Sequence, residues 1–320
     1  MPSETERRLL LRPDTFFINE FYSRTLFTAI SYNYNVDSLP MNQQFSRITE
    51  YVAGDIHSGA AEMAVKTLRD ILSIDSLDTV SQEDWKEFAI NLHHGKPCMA
   101  PIFNIANAIM IYVPEGNSAV IKVLKRILRQ EEESTESLRK SARNIFGDVF
   151  LTTTYSSTVL KALAEISKTR DIKVIATESA PGKEGRLFAN LVGEFADCKL
   201  IHDSTIFSVA SEADCFISGA DSIIPKGVVN KVGTRTAAEA ARVCGLDSCV
   251  ICSSLKLCPV NLSDLHVTRK LNGRVEEYNQ IFDVTSLNLF QKVITDLGDY
   301  TPNDILKNMS SNVSKELYGN

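Results

Sequence analysis

The chain has little that would mark a specialised class. It carries one tryptophan in 320 residues, and no stretch reaches the roughly 18 apolar residues that a membrane span needs. The longest apolar candidate, Ala100 to Val113, is interrupted by Asn104 and Asn107, so no membrane association is expected. A basic excess is also missing. Lys plus Arg total 34 against 40 Asp plus Glu, a formal charge of −6, whereas chains that live on nucleic-acid phosphates are usually positive, so no direct nucleic-acid contact is expected. Met1 to Arg12 holds charges but no apolar core before a cleavage site, which argues against a signal peptide. The seven cysteines are an odd number in a long chain and point to free thiols in a reducing compartment, hence a cytoplasmic location. Hydrophobic residues at 44% and charged residues at 23% are ordinary for a soluble chain with a real core, and exclude collagen, coiled-coil, disulfide-scaffold and disordered classes.

The common ligand signatures are missing too. There is no G-x-x-x-x-G-K-[ST] loop and no G-x-G-x-x-G after a strand; Pro181 to Arg186 (PGKEGR) is only a glycine-containing turn. Cys249 and Cys252 form one C-x-x-C without a second, inside an apolar strand where positions three apart face opposite ways. His202 and His266 lack ligand spacing. These cysteines read as small buried hydrophobes, and neither a metal nor a cofactor is expected. His93-His94 reads as a loop pair and Trp85 as a helix packing residue.

What is present divides near residue 145. Residues 1–145 read as a helical domain. Glu62 to Leu72 places Met63, Val65, Leu68, Ile71 and Leu72 near helical spacing; Ala119 to Leu128 repeats the pattern. An acidic turn at Glu131 to Glu133 and an exposed helix over Ser134 to Arg143 follow. From Asp148 the character changes. Short apolar runs at 148–154, 172–178, 198–203, 214–221 and 248–253 alternate with helices near 156–169, 186–193, 204–211 and 234–243. That alternation predicts an α/β fold with a doubly wound parallel sheet over 146–320, whose ligands bind at the carboxyl ends of the strands.

Three strand ends share one chemistry. The first supplies Thr152 to Ser157, leading into a helix N-terminus that presents free N–H groups to a phosphate. The second supplies Glu178 to Arg186, with Gly182, Lys183, Gly185 and Arg186. The third supplies Gly219-Ala220-Asp221, then Pro225-Lys226-Gly227, Asn230-Lys231 and Gly233-Thr234. In a parallel sheet all three tips lie on one edge, where a small phosphorylated ligand would fit. The plainer alternative is that these Ser and Thr residues cap helices and that Asp221 caps a turn.

The same segments resemble a known family. Leu151-Thr-Thr-Thr-Tyr-Ser-Ser, Thr177-Glu-Ser-Ala-Pro through Glu184-Gly-Arg, and Gly219-Ala-Asp-Ser-Ile through Gly227-Val-Val-Asn-Lys-Val-Gly-Thr234 are similar to motifs of the family that unites two kinds of protein. These are the α, β and δ subunits of eukaryotic translation initiation factor 2B, and isomerases of methylthioribose 1-phosphate and ribose 1,5-bisphosphate. Ile294 to Pro302 resembles the family's closing segment, and Ser58-Gly-Ala and Pro101 through Asn107-Ala-Ile its helical-domain motifs. The resemblance implies an N-terminal helical domain, a Rossmann-like domain, and a homodimer formed through the latter. It also implies possible association with other subunits of the initiation factor 2B type.

For the isomerases the family suggests a cysteine on the first strand end and an aspartate after Gly-Ala that shuttle protons in an aldose-to-ketose conversion, a task for two groups of tuned pKa. Carried over, the aspartate is Asp221, and Asn230 and Lys231 are the neighbouring polar pair. The cysteine position is Thr154. Three arginine positions hold Ser58, Met110 and Ala180. Each charged phosphate contact is worth about 1.5–3 kcal/mol, so a bisphosphate should bind poorly by the isomerase route. The expectation is a non-catalytic regulatory protein resembling the α/δ-type subunits of initiation factor 2B, which regulate guanine-nucleotide exchange, with a sugar phosphate as the ligand it would sense; the alternative is a sugar-phosphate aldose-ketose isomerase using Asp221. The expected ligand-binding residues are Ser58, Gly59, Thr154, Tyr155, Ser156, Lys183, Arg186, Asp221, Asn230 and Lys231.

Overall fold

The computed structural model describes residues 41–55, 58–262, 266–309 and 312–318. The N-terminal segment read as lacking a signal core lies outside them. Among the described residues, five α-helices come first: α1 (Met41–Gly54), α2 (Ala60–Leu72), α3 (Gln82–Gly95), α4 (Ala100–Tyr112) and α5 (Asn117–Ala142). α3 starts where Ser81 accepts a hydrogen bond from the N–H of Asp84, the expected N-cap geometry. α4 begins with Pro101 in its first turn, where a missing N–H costs nothing.

Two readings of this half are corrected. No turn interrupts Glu131 to Glu133: α5 runs unbroken for 26 residues, because Val120, Val123, Leu124, Glu131, Ser134 and Leu138 recur on one buried stripe. His93 and His94 are not in a loop but in the last turn of α3, where His93 is buried with its ring set against Phe103. Trp85 is fully buried and its indole N–H donates to Asn117.

The chain then alternates: β1 (Val149–Thr152), α6 (Ser157–Ile166), β2 (Lys173–Thr177), α7 (Gly185–Val192), β3 (Asp197–Ile201), α8 (Ile206–Val209), β4 (Cys215–Ser218), β5 (Ser222–Ile224), β6 (Gly227–Lys231), α9 (Thr234–Cys244), β7 (Asp247–Ile251), β8 (His266–Asn272), β9 (Val275–Gln280), β10 (Phe282–Thr285), β11 (Lys292–Thr295), β12 (Gly298–Tyr300) and α10 (Pro302–Lys307). The main sheet has the order β12-β11-β7-β4-β1-β2-β3. Every pairing in it is parallel except β11 with β12. Alternate residues fill two cores: Phe150, Val174, Ile217, Cys249 and Ile251 pack under α6 and α7, while Leu151, Ile175, Phe216 and Val250 pack under α9. Burial on both faces explains why these strands read as continuous apolar runs. The helix expected over 204–211 is only one turn, flanked by 3-10 turns.

The segment after Asp221 was expected as a strand tip and is instead a hairpin, β5 and β6, extended by β10 into a second, antiparallel sheet. Ile224 and Val229 of this small sheet enter the core of the helical half. The buried Ser222 hydroxyl bridges the same boundary: it accepts from the N–H of Ala100 and donates to the carbonyl of Cys98. Asn104 donates to the carbonyls of Leu255 and Leu257. Asn107, on the opposite side, donates to the carbonyl of Asn312 and accepts from the N–H of Ser314, drawing the C-terminal segment onto the helices, where Leu317 is buried. Cys249 sits beside Cys215 of the neighbouring strand rather than Cys252, and all three are buried.

Candidate functional site

Strand succession reverses between β1 and β4: from β1 the chain moves outward to β2 and β3, and β4, β7 and β11 build the other side. A crevice at the carboxyl ends is expected at that point. The loops that rim it are held in uncommon conformations. Among the described residues, the non-glycine residues with positive φ are Thr154 (62°), Ser179 (63°) and Lys183 (59°), all at these strand ends. Each such conformation costs on the order of 1–3 kcal/mol and persists only where the surroundings impose it.

Those surroundings are visible. The N–H of Thr154 donates to Ser179 Oγ at 2.7 Å. The carboxylate of Asp203 accepts from the N–H groups of Ser179 and Ala180. Two glycines permit the close packing: a Cβ on Gly185 would run into the carbonyl of Thr177, and one on Gly219 into the hydroxyl of Ser156. Ser156 itself caps α6, accepting from the N–H of Val159.

At the centre, Thr154 Oγ1 donates to Glu184 Oε1 at 3.1 Å, and the same oxygen lies 3.0 Å from Lys231 Nζ. Asp221 follows β4; its N–H donates to the carbonyl of Val229, and the N–H of Ala60 at the start of α2 donates to its carboxyl. Burial pushes the Asp221 pKa above the usual carboxylate range; Lys256, Lys231 and the Ala60 N–H pull it back, while Glu184 adds to the rise. The residue as a whole is half-buried.

The expected residues thus fall into separate groups. Thr154, Asp221 and Lys231 come together at the crevice. Gly59 precedes α2 at its N-cap, beside Asp221, and the N–H of Ser58 donates to Asp55. Tyr155 turns its ring edge to Phe188. Asn230 donates to Thr234 Oγ1 at 3.0 Å and lies near Ser218, a structural bond within the switch region. Lys183 and Arg186 turn to Glu178 instead: Arg186 reaches it at 2.6 Å and Lys183 at 3.8 Å, and His202 faces its other oxygen. Burial works against that carboxylate, but Arg186 outweighs it and holds Glu178 below its usual range.

Sequence reasoning missed two participants. Glu184 appeared only as part of a motif, yet it holds both Thr154 and Lys231. Lys256 is 4% exposed, and its charge acts on both Asp221 and Glu131. The signal was a lone lysine inside the apolar run Leu255-Lys-Leu-Cys-Pro, since a lysine is almost never fully buried without electrostatic cause.

Comparisons with known proteins fit this layout. A ribose 1,5-bisphosphate isomerase of Archaeoglobus fulgidus is 27% identical over 264 residues, covering 76% of this chain and 84% of its own. A putative translation initiation factor eIF-2B subunit 2-like protein of Pyrococcus horikoshii is 32% identical over 257 residues, covering 76% and 91%. The crystal structure of the Pyrococcus horikoshii OT3 translation initiation factor eIF-2B superposes with a TM-score of 0.72 at 27% identity, covering 83% of this chain and all of that one. A tetrameric eIF2B-beta2-delta2 complex from C. thermophilum shares the fold, with a TM-score of 0.64 at 18% identity over 85% of this chain and 95% of that one. The family model for the initiation factor 2 subunit family matches residues 57–302, a span that runs from the residue before Ser58 through the crevice to the closing segment, and the chain belongs to that family.

Proposed function

We propose that this chain is a non-catalytic regulatory member of its family, of the initiation factor 2B α/δ type. It acts in the cytoplasm by contact with a second copy through residues 146–320 and with other subunits of that type. The helical residues 1–145 form the other functional unit. The crevice at Asp221 takes a sugar phosphate as a signal rather than as a substrate.

One observation carries this reading. Thr154 stands where the resemblance to the isomerases expects a proton-shuttling thiol, and its hydroxyl already donates to Glu184. A threonine hydroxyl is a far weaker acid than a thiol near neutral pH, and here its proton is committed to a carboxylate that Lys231 neutralises. The alternative, a sugar-phosphate isomerase, is favoured by a different observation: Asp221 has its proton affinity raised by burial while facing Lys231 and Lys256, the setting of a general base. The relatives named as ribose 1,5-bisphosphate isomerases support it as well.

The test is to mix purified protein with ribose 1,5-bisphosphate and follow both thermal stability and sugar composition by NMR. A ligand at 100 times its Kd adds about 2.7 kcal/mol, a shift of a few degrees for a chain this long. Expected are a shift that Lys231→Met abolishes, an unchanged sugar, and capture of initiation factor 2B-type subunits. Conversion of the sugar that is lost in Asp221→Asn would replace this reading with the isomerase.

A further inference from the structure

A second cavity, of about 640 Å³, opens between α2, the C-terminal half of α5 and the start of α6. Cavities of this size hold small organic ligands. None of Thr154, Glu184, Asp221, Asn230 or Lys231 lines it, so it is separate from the crevice.

Most of its charged groups are already paired. Lys66 meets Asp70 at 2.6 Å, Arg69 meets Glu132 at 2.7 Å, and Arg139 is held by Glu165. Glu131 differs. It is 6% exposed and lines the cavity, and Oε1 accepts from the Ser253 hydroxyl at 2.9 Å. Its second oxygen has no hydrogen-bond partner among the described residues, and no cation lies within ion-pair distance of either. A buried carboxylate in that state is costly unless a cation or donor meets it. Exposed Lys161 also lines the cavity; it forms no ion pair among the described residues, and its charge, like that of Lys256, acts on Glu131 from beyond contact. Ala61, Val65 and Leu138 supply the apolar part of its lining, beside the hydroxyls of Thr135, Ser157 and Thr158 and the carboxylate of Glu62.

We propose that this cavity is a binding site for a small zwitterion with an aliphatic body, of the α-amino-acid type. Its ammonium meets Glu131 Oε2, its carboxylate meets Lys161, and its body lies on Val65 and Leu138. The site lies beyond the crevice reading and does not depend on it.

Saturation-transfer NMR with three probes of the same body tests this: L-leucine, 3-methylbutylamine and 4-methylpentanoate, each at millimolar concentration. L-leucine and the amine should bind and the acid should not. Glu131→Gln should weaken both at least tenfold. Lys161→Met, a surface change that spares folding, should weaken leucine and leave the amine unchanged. Asp221→Asn should leave leucine binding intact, which separates this site from the crevice whatever ribose 1,5-bisphosphate does. Absence of transfer to leucine and the amine, binding of 4-methylpentanoate as strong as leucine, or leucine binding indifferent to Lys161→Met would overturn the proposal. If Glu131→Gln fails to fold, Ser253→Ala, which frees Oε1, serves in its place and should alter amine affinity.

Discussion

At the scale of single residues, the crevice depends on atoms that are not there. Gly185 sits against the carbonyl of Thr177 where no side chain fits. Gly185→Ala therefore forces the β2 and α7 ends apart, and overpacking of this kind costs about 1–3 kcal/mol. Urea unfolding should show the loss, and Lys183 and Arg186 should remain paired with Glu178 if the distortion stays local. Thr154 and Asp221 could be gathered from the sequence because each follows a strand of the parallel sheet, and Lys231 because it lies in the same polar motif after Asp221, although its strand belongs to the antiparallel sheet. Glu184 and Lys256 could not. Glu184 lay in a turn read for its glycines, and its partners are 30 and 47 residues away in different elements. Lys183 and Arg186 had the right charge at the right strand end, but Glu178, buried beside them, draws both away from Asp221.

At the scale of elements, α5 and α6 are joined through one carboxylate. Glu165 of α6 is nearly buried and accepts from Arg139 of α5, from Arg143 at that helix's C-cap and from Lys168. Lys168 first, then the two arginines, pull its pKa from 4.5 to about 2. The folded-state value is below the unfolded one. The stability that Glu165 lends is therefore complete above about pH 4.5 and is lost as the pH falls through about 2. Glu165→Gln should lower the melting temperature at pH 7 and flatten its dependence on pH across that acidic window; an unchanged slope would show that the network contributes nothing. The sequence read α5 as two pieces because three consecutive glutamates look like a turn. One of them, Glu131, faces inward, and the buried stripe passes through it. The strands were easier, since burial on both faces leaves an unmistakable run of apolar residues. The second sheet escaped notice because β6 carries Asn230 and Lys231, polar residues that looked like loop chemistry.

At the scale of the whole molecule, the boundary near residue 145 is visible in composition, yet contacts cross it freely. Ile224, Val229, Cys258 and Val260 belong to the same core as α1 to α5. Thermal unfolding followed by calorimetry should therefore show one transition over residues 39–320; two transitions would mean the halves are independent. Ser222→Ala should weaken both halves together. It leaves the Ala100 N–H and the Cys98 carbonyl without their buried partner, at about 1–3 kcal/mol, and denaturation probes placed in α4 and in β7 should shift equally.

The hook at Asn107 has a consequence for synthesis. Val313 and Leu317 complete the packing around α4, a helix made two hundred residues earlier. On the ribosome α1 to α4 emerge long before the residues that finish their core, so that layer waits, partly open, until residues 312–318 have emerged. A nascent chain stalled a few residues short of Asn312 should remain open to proteases around α4, whereas β1 to β4, which pair with one another in the order β4-β1-β2-β3, should already be closed.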